Sequence, residues 1–82
     1  MKLTPEQDNL INELAADLKP MVSKIEAGIK TTQNNYGRYG GLLAQLAHGN
    51  KLNAKVIGIA LVRAGANAQG VADGLKMSFG DI

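Results

Sequence analysis

Residues 56–62, which read Val-Ile-Gly-Ile-Ala-Leu-Val, form the feature that most limits how this chain can fold. Nearly every side chain in the run is apolar, and the residues on either side extend a helix-compatible segment to about three turns. We therefore predict a buried central helix near residues 52–64, apolar on all sides. Burying each Val, Ile or Leu side chain contributes roughly 1.5–3 kcal/mol, so the rest of the chain must form amphipathic helices that cover it.

The short length of the chain makes additional stabilisation necessary. The 82 residues predict a single helical domain, 1–82, whose one small core supplies only a few kcal/mol of net stability without a metal, a disulfide or a partner chain. There is no Cys for a disulfide, and the one histidine, His48, cannot form a zinc site alone. We therefore expect self-association, as a homodimer or a higher oligomer. No cofactor is indicated.

The first part of the sequence predicts one long helix. Residues 4–7, Thr-Pro-Glu-Gln, form a helix start in which the threonine caps, the proline occupies the first turn, and the glutamine returns a hydrogen bond to the threonine. An apolar stripe at alternating steps of three and four residues runs from Ile11 to Ile29, and it is wider than one partner helix needs. Pro20 lies inside the stripe, so we expect a kinked helix.

Three shorter helices are predicted after it. A second helix covers residues 42–47 and ends at His48, Gly49 and Asn50. After the central helix, residues 65–67 form a turn with a cap, and a fourth helix ends before Gly80. The prediction is therefore an all-α bundle of about four helices. The polar, glycine-rich stretch 31–41 fits either a loop or part of a helix.

The net charge of +2 conceals an uneven distribution of charge along the chain. Residues 27–72 contain five cations and no acid, a local charge of +5, whereas the acids lie towards the two ends. Such segregation favours an anionic partner, or an acidic surface on another protein or on a second copy of the chain. Chance in a short chain is the alternative. The five cations are Lys30, Arg38, Lys51, Lys55 and Arg63.

Residues 36–41 place two tyrosines beside an arginine among glycines. Bases stack on tyrosine rings, and phosphates accept hydrogen bonds from arginine and from exposed glycine N–H groups. This pattern favours an anionic ligand, either a nucleic acid or a nucleotide. The alternative is that both tyrosines pack in the core, because they lie at helical spacing with the leucines that follow. The predicted ligand-binding residues are Tyr36, Arg38, Tyr39, Lys51 and Lys55.

Recognition of DNA bases and catalysis have weaker support in the sequence than binding of an anion. Residues 55–75 have the outline of a helix-turn-helix, but Asp73 on its second helix would oppose phosphate binding. Gly70 and Gly74 weaken that helix by about 1 kcal/mol each relative to alanine, a cost better explained by the close approach of another helix. A nucleophile needs a base beside it, and the hydroxyl side chains share a single histidine. We therefore predict that the protein is not an enzyme.

Two functions remain. The first is a self-associating helical protein that holds an anionic ligand through its acid-free middle. The alternative is a small regulatory inhibitor or adaptor that docks a helical face onto a protein target, with the basic residues meeting an acidic surface. Convergence of Arg38 and Lys51 on one pocket would favour the first, and wide separation the second. No segment is long and apolar enough to cross a membrane, and the absence of Cys with an acidic N-terminal region favours a cytoplasmic location.

Overall fold

Four helices make up the described part of the computed structural model, which covers residues 3–29 and 35–80 apart from the side chains of residues 29 and 35–37. Residues 3–29 and 35–80 contain no strand, so the predicted all-α bundle of four helices is confirmed. The helices are α1 (Pro5–Ile29), α2 (Asn35–Ala47), α3 (Lys51–Arg63) and α4 (Ala68–Phe79).

The start of α1 has the predicted reciprocal hydrogen bonds. The Thr4 N–H donates to Gln7 Oε1 at 2.9 Å, and the Gln7 N–H donates to Thr4 Oγ1 at 3.2 Å. These bonds satisfy backbone donors that have no partner within the helix. Pro20 cannot donate to the carbonyl of Ala16, but α1 continues through it to Ile29. The proline therefore removes one hydrogen bond without ending the helix.

The predicted central helix is α3, which packs against each of the other three helices. The inward side of α3 is closely packed and includes Gly58, which lies against α4. Its outward side is less covered than the sequence suggests, because Leu52 is 72% and Val62 41% exposed. The helix is therefore central but is not buried on all sides. Its buried residues are Ala54, Ile57, Gly58, Ala60 and Leu61.

Two glycines allow α2 and α4 to cross at very short range. A Cβ atom added to Gly74 of α4 would lie 2.8 Å from the Gly40 nitrogen and 3.1 Å from the Tyr39 carbonyl carbon of α2. Ser78 then donates a hydrogen bond from Oγ to the Gly40 carbonyl oxygen at 2.9 Å. The close approach of another helix is the role predicted for Gly74. Gly40 has the same role, and it lies in a helix rather than in a loop that holds a ligand.

Asparagine side chains cap the N-termini of both α3 and α4. Asn50 accepts hydrogen bonds from the backbone N–H groups of Leu52 and Asn53, at 3.0 and 3.3 Å. It therefore starts α3, a role that the sequence analysis did not assign to it. Asn67 is the predicted cap of α4 and accepts from the Gly70 N–H at 2.9 Å.

Candidate functional site

Arg38 and Lys51 do not converge on one site. Arg38 lies on the exposed side of α2, and its guanidinium group reaches back to α1, where a Cβ atom added to Gly28 would be 2.9 Å from Nη1. Arg38 and Ala47 are nine positions apart in α2, a rise of about 13.5 Å along the helix. Lys51 follows the next turn, at the start of α3. The two cations therefore lie towards opposite ends of α2.

The ring of Tyr39 packs in the core and is 0% exposed, so it offers no accessible surface on which a base could stack. Its hydroxyl group makes no hydrogen bond of ordinary geometry with the residues that the structure describes. Burial raises the pKa of this hydroxyl well above its usual value, and the neighbouring Glu26 carboxylate raises it further. Tyr39 therefore packs in the core, as the alternative to ligand binding predicted. The side chain of Tyr36 lies outside the described residues.

The glycines of the segment 36–41 do not form an open loop for phosphate. They lie within α2, and Gly40 is buried against Gly74. Gly40 and Gly41 come after the first four residues of the helix, so their N–H groups belong to its internal hydrogen bonds. The segment therefore presents no row of exposed glycine N–H groups beyond the first turn.

Lys51 and Lys55 remain available as a pair. They lie one helical turn apart on α3, Lys51 exposed and Lys55 half-buried. Neither forms an ion pair with the part of the chain that the structure describes. Lys30, an outer member of the predicted cluster, lies outside the described residues.

Arg63 is held by α1 and is not part of a free basic cluster. Its Nη2 atom lies 2.6 Å from Asp8 Oδ1, and its Nη1 atom donates to Asn12 Oδ1 at 3.0 Å. Both charged side chains remain partly exposed, 33% for Arg63 and 45% for Asp8. An acid 55 positions away in the sequence thus neutralises one of the five cations.

The described surface includes an apolar cleft between α1 and α3. Its volume is about 140 Å³, and Gln7 is its one polar lining residue beside Leu10, Ile11, Leu14 and Val56. Leu10 is 63% exposed, and Leu52, one turn before Val56 on the same side of α3, is also largely exposed. We call the residues Leu10, Leu14, Leu52 and Val56 the α1–α3 face.

Opposite charges border the α1–α3 face. Successive residues of a helix are about 100° apart, and the residues that follow Leu10, Leu14 and Val56 point into the core. The outer edges of the face therefore hold the residues that precede Leu14, Leu52 and Val56, which are Glu13, Lys51 and Lys55. Glu6 and Asp17 lie on the same side of α1 as Glu13, two turns before it and one turn after it. We call Glu6, Glu13 and Asp17 the acidic border, and Lys51 and Lys55 the basic border.

The α1–α3 face is not among the candidate sites predicted from the sequence. The sequence does contain a signal for it, because the apolar stripe of α1 is wider than one helix can cover. It could not show which part of that stripe stays exposed, since Leu10 and Ile11 are adjacent and equally apolar, but Ile11 is 2% exposed. Contact with α3 decides between them, and that contact is not local in sequence.

No protein-family model matches the chain, and neither curated proteins nor solved structures give a match. In residues 3–29 and 35–80, no group of three or more His, Cys, Asp or Glu side chains could hold a metal ion. No helix in the described ranges has the length and apolar character needed to cross a membrane.

Proposed function

We propose that this protein is a non-enzymatic helical interaction module that binds another protein chain through the α1–α3 face. The observation that carries the proposal is the apolar cleft, in which Leu10 stays largely exposed beside Leu14 and Val56. The absence of Cys is compatible with a cytoplasmic location, which we include in the proposal.

The shape of the cleft suits a helix or an apolar side chain of a partner. Amphipathic helices bind such grooves by inserting apolar residues at steps of three and four positions. Covering an exposed leucine contributes roughly 1.5–3 kcal/mol, so Leu10 and Leu52 together offer roughly 3–6 kcal/mol towards binding a partner. Charged residues at both borders can then select the orientation of the partner.

The positions of the basic residues favour protein docking over an anion pocket. Arg38 lies far from Lys51, Arg63 is paired with Asp8, and the cleft is lined by no cation. Tyr39 is buried and unavailable for stacking. Spread cations are the arrangement that the sequence analysis associated with the docking alternative.

Selection from a library of amphipathic helical peptides tests this proposal. We expect enriched peptides with apolar residues at steps of three and four, whose binding is at least about tenfold weaker to Leu10→Glu. Met77→Glu is the matched control, because Met77 is 68% exposed on α4 and does not line the cleft. Failure to enrich any peptide, or equal binding to wild type and Leu10→Glu, would contradict the proposal.

A second candidate is binding of an anion at Lys51 and Lys55. It is favoured by their adjacent positions on α3 and by the lack of an ion pair with any described acid. Fluorescence anisotropy with single-stranded DNA, duplex DNA and ATP tests it. If both lysines neutralise duplex phosphates, affinity falls by about tenfold between 50 and 200 mM salt, and the double variant Lys51→Ala, Lys55→Ala loses this dependence. Unchanged binding by the variant would exclude the site.

A further inference from the structure

The α1–α3 face has the charge pattern of a surface that can bind itself. Its apolar middle lies between the acidic border, Glu6, Glu13 and Asp17, and the basic border, Lys51 and Lys55. A partner that matches this surface needs an apolar middle and the opposite order of charges. A second copy of the chain presents that order when it is rotated by half a turn.

We propose that the α1–α3 face binds a second copy of this chain, with the acidic border of each copy against the basic border of the other. This inference rests on the proposed function, because it names the partner of the same face. The two-fold axis lies in the plane of the interface and runs between the two borders. It therefore sets α1 of one copy over α3 of its partner, as an isologous interface requires.

Charge excludes the other two-fold arrangement. An in-plane axis perpendicular to the borders would set acid against acid and lysine against lysine, and like charges brought together oppose association. The favoured axis brings Glu13 and Asp17 near the lysines of the partner instead. It also covers Leu10 and Leu52 with apolar side chains of the second copy. The borders thus fix the orientation, while the leucines supply most of the binding.

Sedimentation velocity over a range from about 1 µM to about 1 mM tests association of the copies. We expect a concentration-dependent shift from the 8.6 kDa monomer to a species of twice that mass. Leu10→Glu should weaken the dimer roughly ten- to a hundredfold, whereas Met77→Glu should leave it unchanged. Wild-type protein that stays monomeric across the range would overturn the inference.

Charge reversal tests the orientation. The variant Lys51→Glu, Lys55→Glu should dimerise about tenfold more weakly at low salt, because acids then face acids across the interface. Adding Glu13→Lys and Asp17→Lys to the same chain should restore the wild-type dissociation constant. All exchanged residues except Lys55 are exposed, so a thermal unfolding curve suffices to show that the variants remain folded. Equal dimerisation of the double variant and wild type, or no recovery in the fourfold variant, would overturn the inference.

Failure of this inference is distinguishable from failure of the proposed function. A monomeric protein that still selects peptides sensitive to Leu10→Glu retains the docking function and loses only the self-partner. A monomeric protein that selects no such peptide loses both. A dimer that is insensitive to Leu10→Glu forms through another face and also overturns the inference.

Discussion

The contact between α2 and α4 and the contact between α1 and α3 are built in different ways. Backbone lies against backbone at Gly40 and Gly74, and the hydrogen bond from Ser78 closes the crossing. Between α1 and α3 the cleft beside Leu10 stays open, and the ion pair of Asp8 and Arg63 lies partly exposed. The first contact leaves no room for a ligand. The second leaves apolar surface that another chain can cover, so in our proposal the first contact serves stability and the second serves binding.

The largest loss of stability should come from adding one methyl group at the contact between α2 and α4, which we call the closed contact. Gly74→Ala places its Cβ 2.8 Å from the Gly40 nitrogen, and a backbone atom cannot move aside cheaply. We expect the free energy of unfolding to fall by about 2–3 kcal/mol, measured by urea denaturation at low micromolar concentration. Gly41→Ala is the control, because nothing lies within 4 Å of its added Cβ. That change should raise stability by up to about 1 kcal/mol, and equal effects of the two substitutions would contradict the close crossing.

An intermediate effect is expected at Tyr39, whose backbone lies in the closed contact while its hydroxyl is close to Glu26 of α1. Because burial raises the pKa of this hydroxyl in the folded protein, the unfolded chain loses the proton first as the pH rises past 10. The free energy of unfolding should therefore not depend on this hydroxyl below pH 10, and it should fall by about 1 kcal/mol at pH 11. Denaturation of wild type and Tyr39→Phe at pH 9 and pH 11 measures it. A Tyr39→Phe variant that loses as much stability as wild type would show that Tyr39 is not the cause.

The smallest loss of stability is expected for the ion pair of Asp8 and Arg63, which lies at the contact between α1 and α3. Asp8→Asn should lower the free energy of unfolding by less than about 1 kcal/mol, because both partners are partly exposed to solvent. The difference should shrink further at about 1 M salt, where charges are screened over roughly 3 Å. Denaturation of both proteins at low and high salt measures it. A loss of several kcal/mol that persists at high salt would mean that the α1–α3 contact depends on this pair.

Local chemistry in the sequence predicts most of the fold. The bonds between Thr4 and Gln7, the cap at Asn67 and the end of α4 before Gly80 each depend on residues within one helical turn. The central position of α3 follows from its apolar run. These features could be predicted because the interacting groups are neighbours in the chain.

The candidate site could not be predicted in the same way. Gly40 lies within four positions of two tyrosines and an arginine in the sequence, which suggests a ligand loop, but the structure packs it against Gly74, 34 positions further on. The basic middle looks continuous until Arg63 is seen to pair with Asp8. Which apolar residues remain exposed likewise depends on how distant helices cross, and no pattern within one helix contains that information.

Amide chemical shifts recorded by NMR across a concentration series test most directly whether binding and stability are separated in this molecule. We expect amide shifts that depend on concentration at residues 6–17 and 51–56, which contain the α1–α3 face and its borders, while the amides around Gly40 and Gly74 stay constant. Leu10→Glu should abolish the shifts. Shift changes centred on the α2–α4 crossing, or spectra that do not change at any residue of the α1–α3 face, would contradict the separation of binding from stability.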